Sequence, residues 1–177
     1  MLKVSFVGHS QIPREYEVED VEIRIYRAPG GRAETLLTDY RTKNVLTWEH
    51  NFCILWIGSN DIRVTVTPQE IFEHIRTIVK EIEKHCGAEV IVVQVEPRFY
   101  PETFRISTKQ YMKYQNAINR KIKNNLDNQT IHFNNLKFKY SLAEDGVHWN
   151  EEGKEAIKEK FRKFILSRRS VFTVIQW

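Results

Sequence analysis

Short apolar runs alternate with longer segments of helical periodicity along this chain of 177 residues. The run at residues 52–57 is apolar throughout, which is typical of a central strand covered on both faces. Residues 21–26 alternate between apolar and charged side chains, which predicts a half-exposed strand at a sheet edge. The predicted strands cover residues 2–7, 21–26, 52–57, 90–95 and 130–133.

Three further segments repeat apolar residues at helical spacing and predict helices at residues 68–84, 109–126 and 151–166. The first follows Thr67, a good capping residue, and the last follows Asn150, which is another. A shorter helix is expected within residues 32–46. Strands that alternate with helices predict an α/β fold of three layers, α/β/α, with a flavodoxin-like five-stranded parallel sheet.

Composition and charge are those of an ordinary globular protein. Hydrophobic residues make up 41% of the sequence and the formal net charge is +4, whereas disorder requires low hydrophobicity and high net charge. We therefore expect residues 1–177 to form one domain. The tail, residues 167–177, is basic and then apolar, and it is expected to be an added strand, an interface or a linker.

The sequence shows no targeting segment and no cofactor motif. Because we find neither a secretory signal nor a run of about 18 apolar residues, we expect a cytoplasmic protein. Cys53 and Cys86 are too few for a disulfide scaffold and have no partners at metal-ligand spacing, so we predict no structural zinc and no cofactor. The mild positive charge permits a membrane surface or RNA as partner without requiring one.

Residue types that perform acyl transfer follow the predicted strands or precede the last helix. Ser10 follows the first strand, Asn60 follows the third, and the pair Asp145 and His148 precedes the last helix. In parallel sheets, functional groups gather at the carboxyl ends of the strands. Acyl transfer needs a nucleophile, a histidine base, a carboxylate that orients the base, and N–H donors for the oxyanion. The segments are Gly8-His9-Ser10, Gly30-Gly31-Arg32, Gly58-Ser59-Asn60-Asp61 and Asp145-Gly146-Val147-His148.

In their order and positions, these four segments resemble the blocks of the SGNH, or GDSL-like, hydrolase superfamily. The resemblance implies that Ser10 is the nucleophile, that His148 is the base and that Asp145 orients it. It also implies that the backbone N–H of Ser10 and of Gly31, with the side chain of Asn60, bind the oxyanion. Gly30 is the competing match for Gly31.

The first block departs from the usual Gly-Asp-Ser-Leu pattern, because His9 stands where a carboxylate is normal. The connection over residues 11–20 is also short for the helix that usually follows the nucleophile. A Gly-His-Ser block on a compact frame is similar to esterase domains carried by some non-LTR retrotransposons. We expect His9 to serve in turn packing or substrate contact, whereas Arg98 is interpreted either as an anion ligand or as a solvated loop arginine.

The favoured function is that of a serine-dependent carboxylic ester hydrolase that acts through an acyl-enzyme. Its substrate would be a small acyl or acetyl ester, and lipolytic activity with a lipid or membrane surface as partner is compatible with the sequence. The alternative is a weakly active or inactive module that binds lipid, glycan or RNA on the same fold. Nucleic acid is not expected as the main partner, because the basic face of the last helix is interleaved with glutamates. The ester and the oligomeric state are left open.

Overall fold

Five parallel strands form the central sheet, in the order β2–β1–β3–β4–β5. The computed structural model describes residues 1–99, 105–126, 130–133 and 141–175. The flavodoxin-like order confirms the predicted fold class, and the alternating segment at residues 21–26 does lie at a sheet edge. The strands are β1 (Leu2–Gly8), β2 (Val21–Arg27), β3 (Phe52–Trp56), β4 (Glu89–Val93) and β5 (Thr130–Ile131).

Three long helices in the described part of the chain cover the two faces of the sheet and complete the three layers. They are α1 (Pro68–Cys86), α2 (Thr108–Asn125) and α3 (Glu151–Ile175). The apolar faces of α1 and α2 pack in one buried cluster with Val7 and Leu55 of the sheet. The neighbouring residues in the same strands, such as Phe6 and Trp56, point to the other face of the sheet and pack with Phe161 of α3. Within the described segments, no helix is both long and apolar enough to cross a membrane.

The helix starts follow the capping signals of the sequence. The hydroxyl of Thr67 accepts a hydrogen bond from the Glu70 N–H, and the Glu70 side chain accepts one from the Thr67 N–H, which completes a capping box. At the start of α3, Asn150 Oδ1 accepts from the Gly153 N–H at 2.8 Å. Both predicted caps are confirmed, and they fix where the chain enters the helices on either face.

Residues 32–46 do not form the single short helix that was expected. Two short 3-10 turns, Ala33–Thr35 and Lys43–Thr47, stand in its place. Local side chains hydrogen-bond to the backbone here: Thr38 Oγ1 donates to the Thr35 carbonyl oxygen, and Asp39 Oδ1 accepts from the Arg41 N–H. Such bonds compete with the regular helical ladder, which is why threonine and aspartate favour turns.

The tail does not form the added strand that was one of its three expected roles. Helix α3 continues through Ile175, and residues 176–177 lie outside the described part of the chain. The extension is tied to the sheet by charge, since Arg169 lies 2.6 Å from Asp20 and Arg168 lies 3.3 Å from Glu89. A short apolar run does not distinguish a strand from a buried helix by its pattern alone.

Candidate active site

The carboxyl ends of β1 and β3 meet where the order of the strands reverses, which is the usual place for a ligand in an open α/β sheet. Gly8 ends β1 there, and a Cβ at this position would overlap the carbonyl oxygen of Trp56 in β3. Only glycine permits so close an approach of the two backbones. The next residue, His9, donates its backbone N–H to the same oxygen at 3.1 Å. The turn after β1 is therefore anchored to the neighbouring strand.

Ser10 lies in this turn and faces a cavity of about 680 Å³. The turn is closed by the Ile12 N–H, which donates to the His9 carbonyl oxygen at 3.2 Å. Arg27, at the end of β2, holds the turn from the other side, because its Nη2 donates to the Ser10 carbonyl oxygen at 2.8 Å and its Nε to that of Ile12 at 3.0 Å. Within the described residues, the hydroxyl of Ser10 makes no hydrogen bond, so it stays available to a ligand.

Asp145 and His148 form a directly bonded pair just before α3. The imidazole Nδ1 lies 2.6 Å from Asp145 Oδ2, and the other carboxylate oxygen accepts the backbone N–H groups of Val147 and His148 at 2.9 Å each. Partial burial raises the pKa of Asp145, but these hydrogen bonds outweigh it and lower the pKa to about 2. The bonded Nδ1 leaves Nε2 as the free ring nitrogen, and His148 lines the same cavity as Ser10.

One side chain joins the turn of Ser10 to the loop of His148. Gln11 Nε2 donates to the Val147 carbonyl oxygen at 2.9 Å, across 136 residues of sequence. Gln11 occupies the position that is leucine in the usual first block. Its amide therefore gives this chain a polar link between the two predicted catalytic segments.

Gly31 and Asn60 contact each other but do not line the cavity of Ser10 and His148. Asn60 Nδ2 donates to the Gly31 carbonyl oxygen at 3.0 Å. The Gly31 N–H, expected to be an oxyanion donor, donates instead to the Ala28 carbonyl oxygen at 2.7 Å. Gly30, the competing match, is exposed and has a positive φ of 73°. Asn60 thus donates one N–H of its amide to Gly31 and keeps the second N–H available.

A buried charged cluster lies behind the turn of Ser10. Its members are His9, Glu96 and Arg98, all at most 1% exposed. The carboxylate oxygen Oε1 of Glu96 lies 3.5 Å from His9 Nε2 and 3.7 Å from Arg98 Nη2. Burial raises the pKa of Glu96, but its interactions with His9 and Arg98 outweigh burial and hold the pKa well below its usual range. Charges so deeply buried are stable only when they are paired.

The cluster reaches the predicted oxyanion residue through Arg98. Arg98 Nη2 donates to Asn60 Oδ1 at 2.8 Å and to Ser59 Oγ at 2.7 Å. The other carboxylate oxygen of Glu96, Oε2, accepts the indole N–H of Trp56 at 2.9 Å. His9 is fully buried and its Nδ1 accepts the Gln11 N–H at 3.2 Å, which is turn packing, the first of the two roles expected for it. The interpretation of Arg98 as a solvated loop arginine is wrong, because the side chain is buried.

Glu96 was not among the functional residues predicted from the sequence. The available signal was a glutamate directly after the apolar segment at residues 90–95, because this position places a charge at the carboxyl edge of the sheet. As for metals, no group of three or more His, Cys, Asp or Glu side chains in the described segments is arranged to hold an ion.

The sheet order, the serine after β1 and the Asp–His pair before the last helix are those of the SGNH class of hydrolases. The model of the GDSL-like lipase/acylhydrolase family matches residues 9–156, and the chain belongs to this family. The match includes Ser10, Asn60, Asp145 and His148. A search of curated protein sequences gave no match.

Solved structures of hydrolases share the fold at low sequence identity. A lipase/acylhydrolase from Enterococcus faecalis has a TM-score of 0.69 and 16% identity, covering 95% of this chain and 97% of its own. A carbohydrate esterase of family 3 from Talaromyces cellulolyticus has a TM-score of 0.65 and 14% identity, covering 94% and 97%. The psychrotrophic esterase EstA from a Pseudoalteromonas species has a TM-score of 0.62 and 13% identity, covering 95% and 98%.

Proposed function

We propose that this protein is a serine-dependent carboxylic ester hydrolase that works through an acyl-enzyme. Ser10 is the nucleophile, His148 is the general base and acid, and Asp145 holds the imidazole. The observation that carries the proposal is the 2.6 Å contact between His148 Nδ1 and Asp145 Oδ2, beside a cavity that His148 shares with Ser10. A carboxylate on Nδ1 selects the tautomer whose Nε2 can take a proton.

The chemistry begins with attack of Ser10 Oγ on the ester carbonyl carbon, while His148 Nε2 takes the hydroxyl proton. A C–O bond forms and the carbonyl oxygen becomes an oxyanion. When the tetrahedral intermediate collapses, the bond to the alcohol breaks and the imidazolium returns its proton to that alcohol. Water then repeats the sequence on the acyl-enzyme, releasing the acid and restoring Ser10. Asp145 stays a carboxylate throughout, since its low pKa of about 2 keeps it ionised at neutral pH.

Two donors are proposed for the oxyanion. One is the backbone N–H of Ser10, which has no partner among the backbone hydrogen bonds of the described residues. The other is the second N–H of Asn60 Nδ2, whose first is donated to Gly31. Gly31 stays a prediction as third donor, and its N–H would first have to leave the Ala28 carbonyl oxygen. Donors fixed before reaction stabilise the developing charge without reorganisation.

The proposed substrate is a small acyl or acetyl ester. The family carries the name of lipases and acylhydrolases, and structural neighbours include a carbohydrate esterase and an esterase inhibited by monoethylphosphonate. These names support an ester as the substrate class. A lipid surface as partner and the narrower resemblance to retrotransposon esterase domains stay predictions.

A second candidate is an inactive module that binds lipid, glycan or RNA. Two observations favour it: the Ser10 hydroxyl has no hydrogen bond to His148, and His9 replaces the usual carboxylate of the first block. We prefer the esterase because catalytic hydrogen bonds are often long in unliganded sites and tighten when substrate binds.

Covalent labelling by a fluorophosphonate probe tests the proposal. The purified protein is expected to gain one phosphonyl group on the peptide that contains Ser10, as identified by mass spectrometry, and to hydrolyse 4-nitrophenyl acetate. The Ser10→Ala variant is expected to do neither. Ser167→Ala is the matched control, because Ser167 is an exposed serine on α3 that does not line the cavity, and its hydroxyl donates to the Phe164 carbonyl oxygen. An unlabelled, inactive parent protein would instead support the binding module.

A further inference from the structure

The cavity beside Ser10 has a lining rich in positive charge. Apolar side chains contribute part of its wall, which suits the body of an ester. The lining contains one acidic residue, Glu15, and four basic residues: Arg14, Arg27, Lys154 and Lys158. The two lysines are paired along α3, since Lys154 lies 2.6 Å from Glu151 and Lys158 lies 3.5 Å from Glu155. The uncompensated charge therefore belongs to the two arginines.

None of the ion pairs within the described part of the chain includes Arg14 or Arg27, and none joins Glu15 to either of them. A guanidinium carries five N–H donors, and Arg27 uses two of its five, on the carbonyl oxygens of Ser10 and Ile12. Burial and the nearby charge of Arg14 lower the pKa of Arg27. Two guanidinium groups thus repel each other beside the nucleophile, with unused donors on both.

We propose that this cavity binds an ester that carries an anionic group, and that Arg14 and Arg27 hold that anion. An anion would relieve the repulsion between the arginines and accept their free N–H groups, and guanidinium matches carboxylate, sulfonate and phosphate oxygens in pairs. The inference rests on the proposed esterase function and deepens it. It selects, among small esters, those with one negative charge near the scissile bond.

Selectivity between charged and neutral esters tests this subsite. The measured quantity is kcat/KM for an anionic ester divided by that for its neutral counterpart. In one arm the charge is on the leaving group, 4-acetoxybenzenesulfonate against phenyl acetate; in the other it is on the acyl group, mono-4-nitrophenyl adipate against 4-nitrophenyl acetate. Arg14→Gln is expected to lower the ratio about tenfold in at least one arm, as befits a lost charged hydrogen bond. The arm that responds shows which side of the ester the cavity holds.

Arg76→Gln is the matched control, because Arg76 is an exposed arginine of α1 that pairs with Glu73 outside this cavity. Its ratios are expected to equal those of the parent protein. Ratios in Arg14→Gln that also equal those of the parent in both arms overturn the subsite while leaving the esterase intact. A parent protein that hydrolyses none of the esters and takes no label overturns the esterase and the subsite together.

A different observation concerns Arg98, which contacts the amide of Asn60 from beneath the site. An asparagine amide has two orientations of almost equal shape that exchange its donor and acceptor ends. Arginine has donors only, so the end that faces Arg98 Nη2 at 2.8 Å must be the oxygen. The nitrogen end then faces the Gly31 carbonyl oxygen, 3.0 Å away.

We infer that Arg98 is a positioning residue that keeps Asn60 turned with its N–H groups available to the oxyanion. Glu96 balances the charge of Arg98 at 3.7 Å. The role depends on the proposed function, because it acts only through Asn60.

A double-mutant cycle tests this role. Arg98→Met is always made together with Glu96→Gln, so that no unpaired charge is left buried. Asn60→Ala is expected to lower kcat about 10²-fold, in the range found for lost oxyanion donors. When Asn60 is present, Arg98→Met with Glu96→Gln is expected to lower kcat at least about tenfold and to change KM little. When residue 60 is alanine, the same pair of substitutions is expected to lower kcat less than about twofold.

A merely structural role gives a different result. If the paired change lowers kcat by the same factor in both backgrounds, Arg98 does not act through Asn60 and the inference is overturned. Thermal unfolding is measured for the parent, Asn60→Ala, the paired variant and their combination, so that each kcat is corrected for any loss of folded protein. An inactive parent protein overturns the esterase as well, whereas an active one with independent losses overturns only the role of Arg98.

Discussion

Replacing His148 with alanine is expected to lower kcat for 4-nitrophenyl acetate by at least about 10⁴-fold, and adding Ser10→Ala is expected to lower it little further. Without the imidazole, nothing takes the Ser10 proton during attack or returns it to the alcohol. Because the two groups act as one unit, either loss alone removes the covalent route. The residual rate then comes from substrate binding and the oxyanion donors. Steady-state kinetics of the parent, both single variants and the double variant measure this.

His85→Ala is the control for this series. Like His148, His85 is an exposed histidine bonded to a carboxylate one helical turn away, Glu81 at 3.1 Å, but it lies on α1 and does not line the cavity. Its variant is expected to keep the parent kcat. The His148 side chain is 56% exposed, so its removal should leave the free energy of unfolding within about 0.5 kcal/mol of the parent value. Losses for Ser10→Ala and His148→Ala that multiply in the double variant would contradict a shared mechanism.

Replacing Glu96 with glutamine is expected to lower the free energy of unfolding by about 3–5 kcal/mol, the cost of leaving a buried charge without its partner. Glutamine keeps the shape and the acceptor for Trp56 Nε1 but removes the negative charge that faces Arg98. Urea unfolding at neutral pH measures the loss. Adding Arg98→Met is expected to recover part of it, because both members of the charged pair are then neutral.

The stabilisation by Glu96 is expected to decrease as the pH is lowered. The fold holds the pKa of Glu96 below its ordinary value, so the carboxylate stabilises the folded state fully above about pH 4.3, where the unfolded glutamate is ionised. That contribution falls as the pH drops below this value. The difference between the parent and Glu96→Gln should therefore narrow as the pH falls below about 4.

Glu81→Gln supplies the matched comparison for Glu96. Glu81 is also paired with a histidine, but its side chain is exposed, and exposed ion pairs contribute about 1 kcal/mol or less. Its variant is expected to unfold within that range of the parent at every pH. A Glu96→Gln protein as stable as Glu81→Gln would show that the buried cluster does not hold the fold together.

The pattern of apolar residues was enough to predict the sheet. The five strands, the edge position of residues 21–26 and the helices on both faces follow from periodicity, since each apolar face must be buried against another. The starts of α1 and α3 were predictable because caps are local: Thr67 with Glu70, and Asn150 with Gly153. Local signals were ambiguous at two places: the expected helix at residues 32–46 is two 3-10 turns, and the tail extends α3 instead of forming an added strand, one of its three expected roles.

The sequence by itself determined which catalytic residue types stand after which strands, because parallel strands bring their carboxyl ends to one edge. The pairing of Asp145 with His148 was also predictable, since they lie only three positions apart in the sequence. Only the tertiary structure decided that the turn of Ser10 rests on a buried cluster of His9, Glu96 and Arg98. His9 lies 87 positions before Glu96 in the sequence, and no local pattern shows which polar side chains will be buried together when the strands form the sheet.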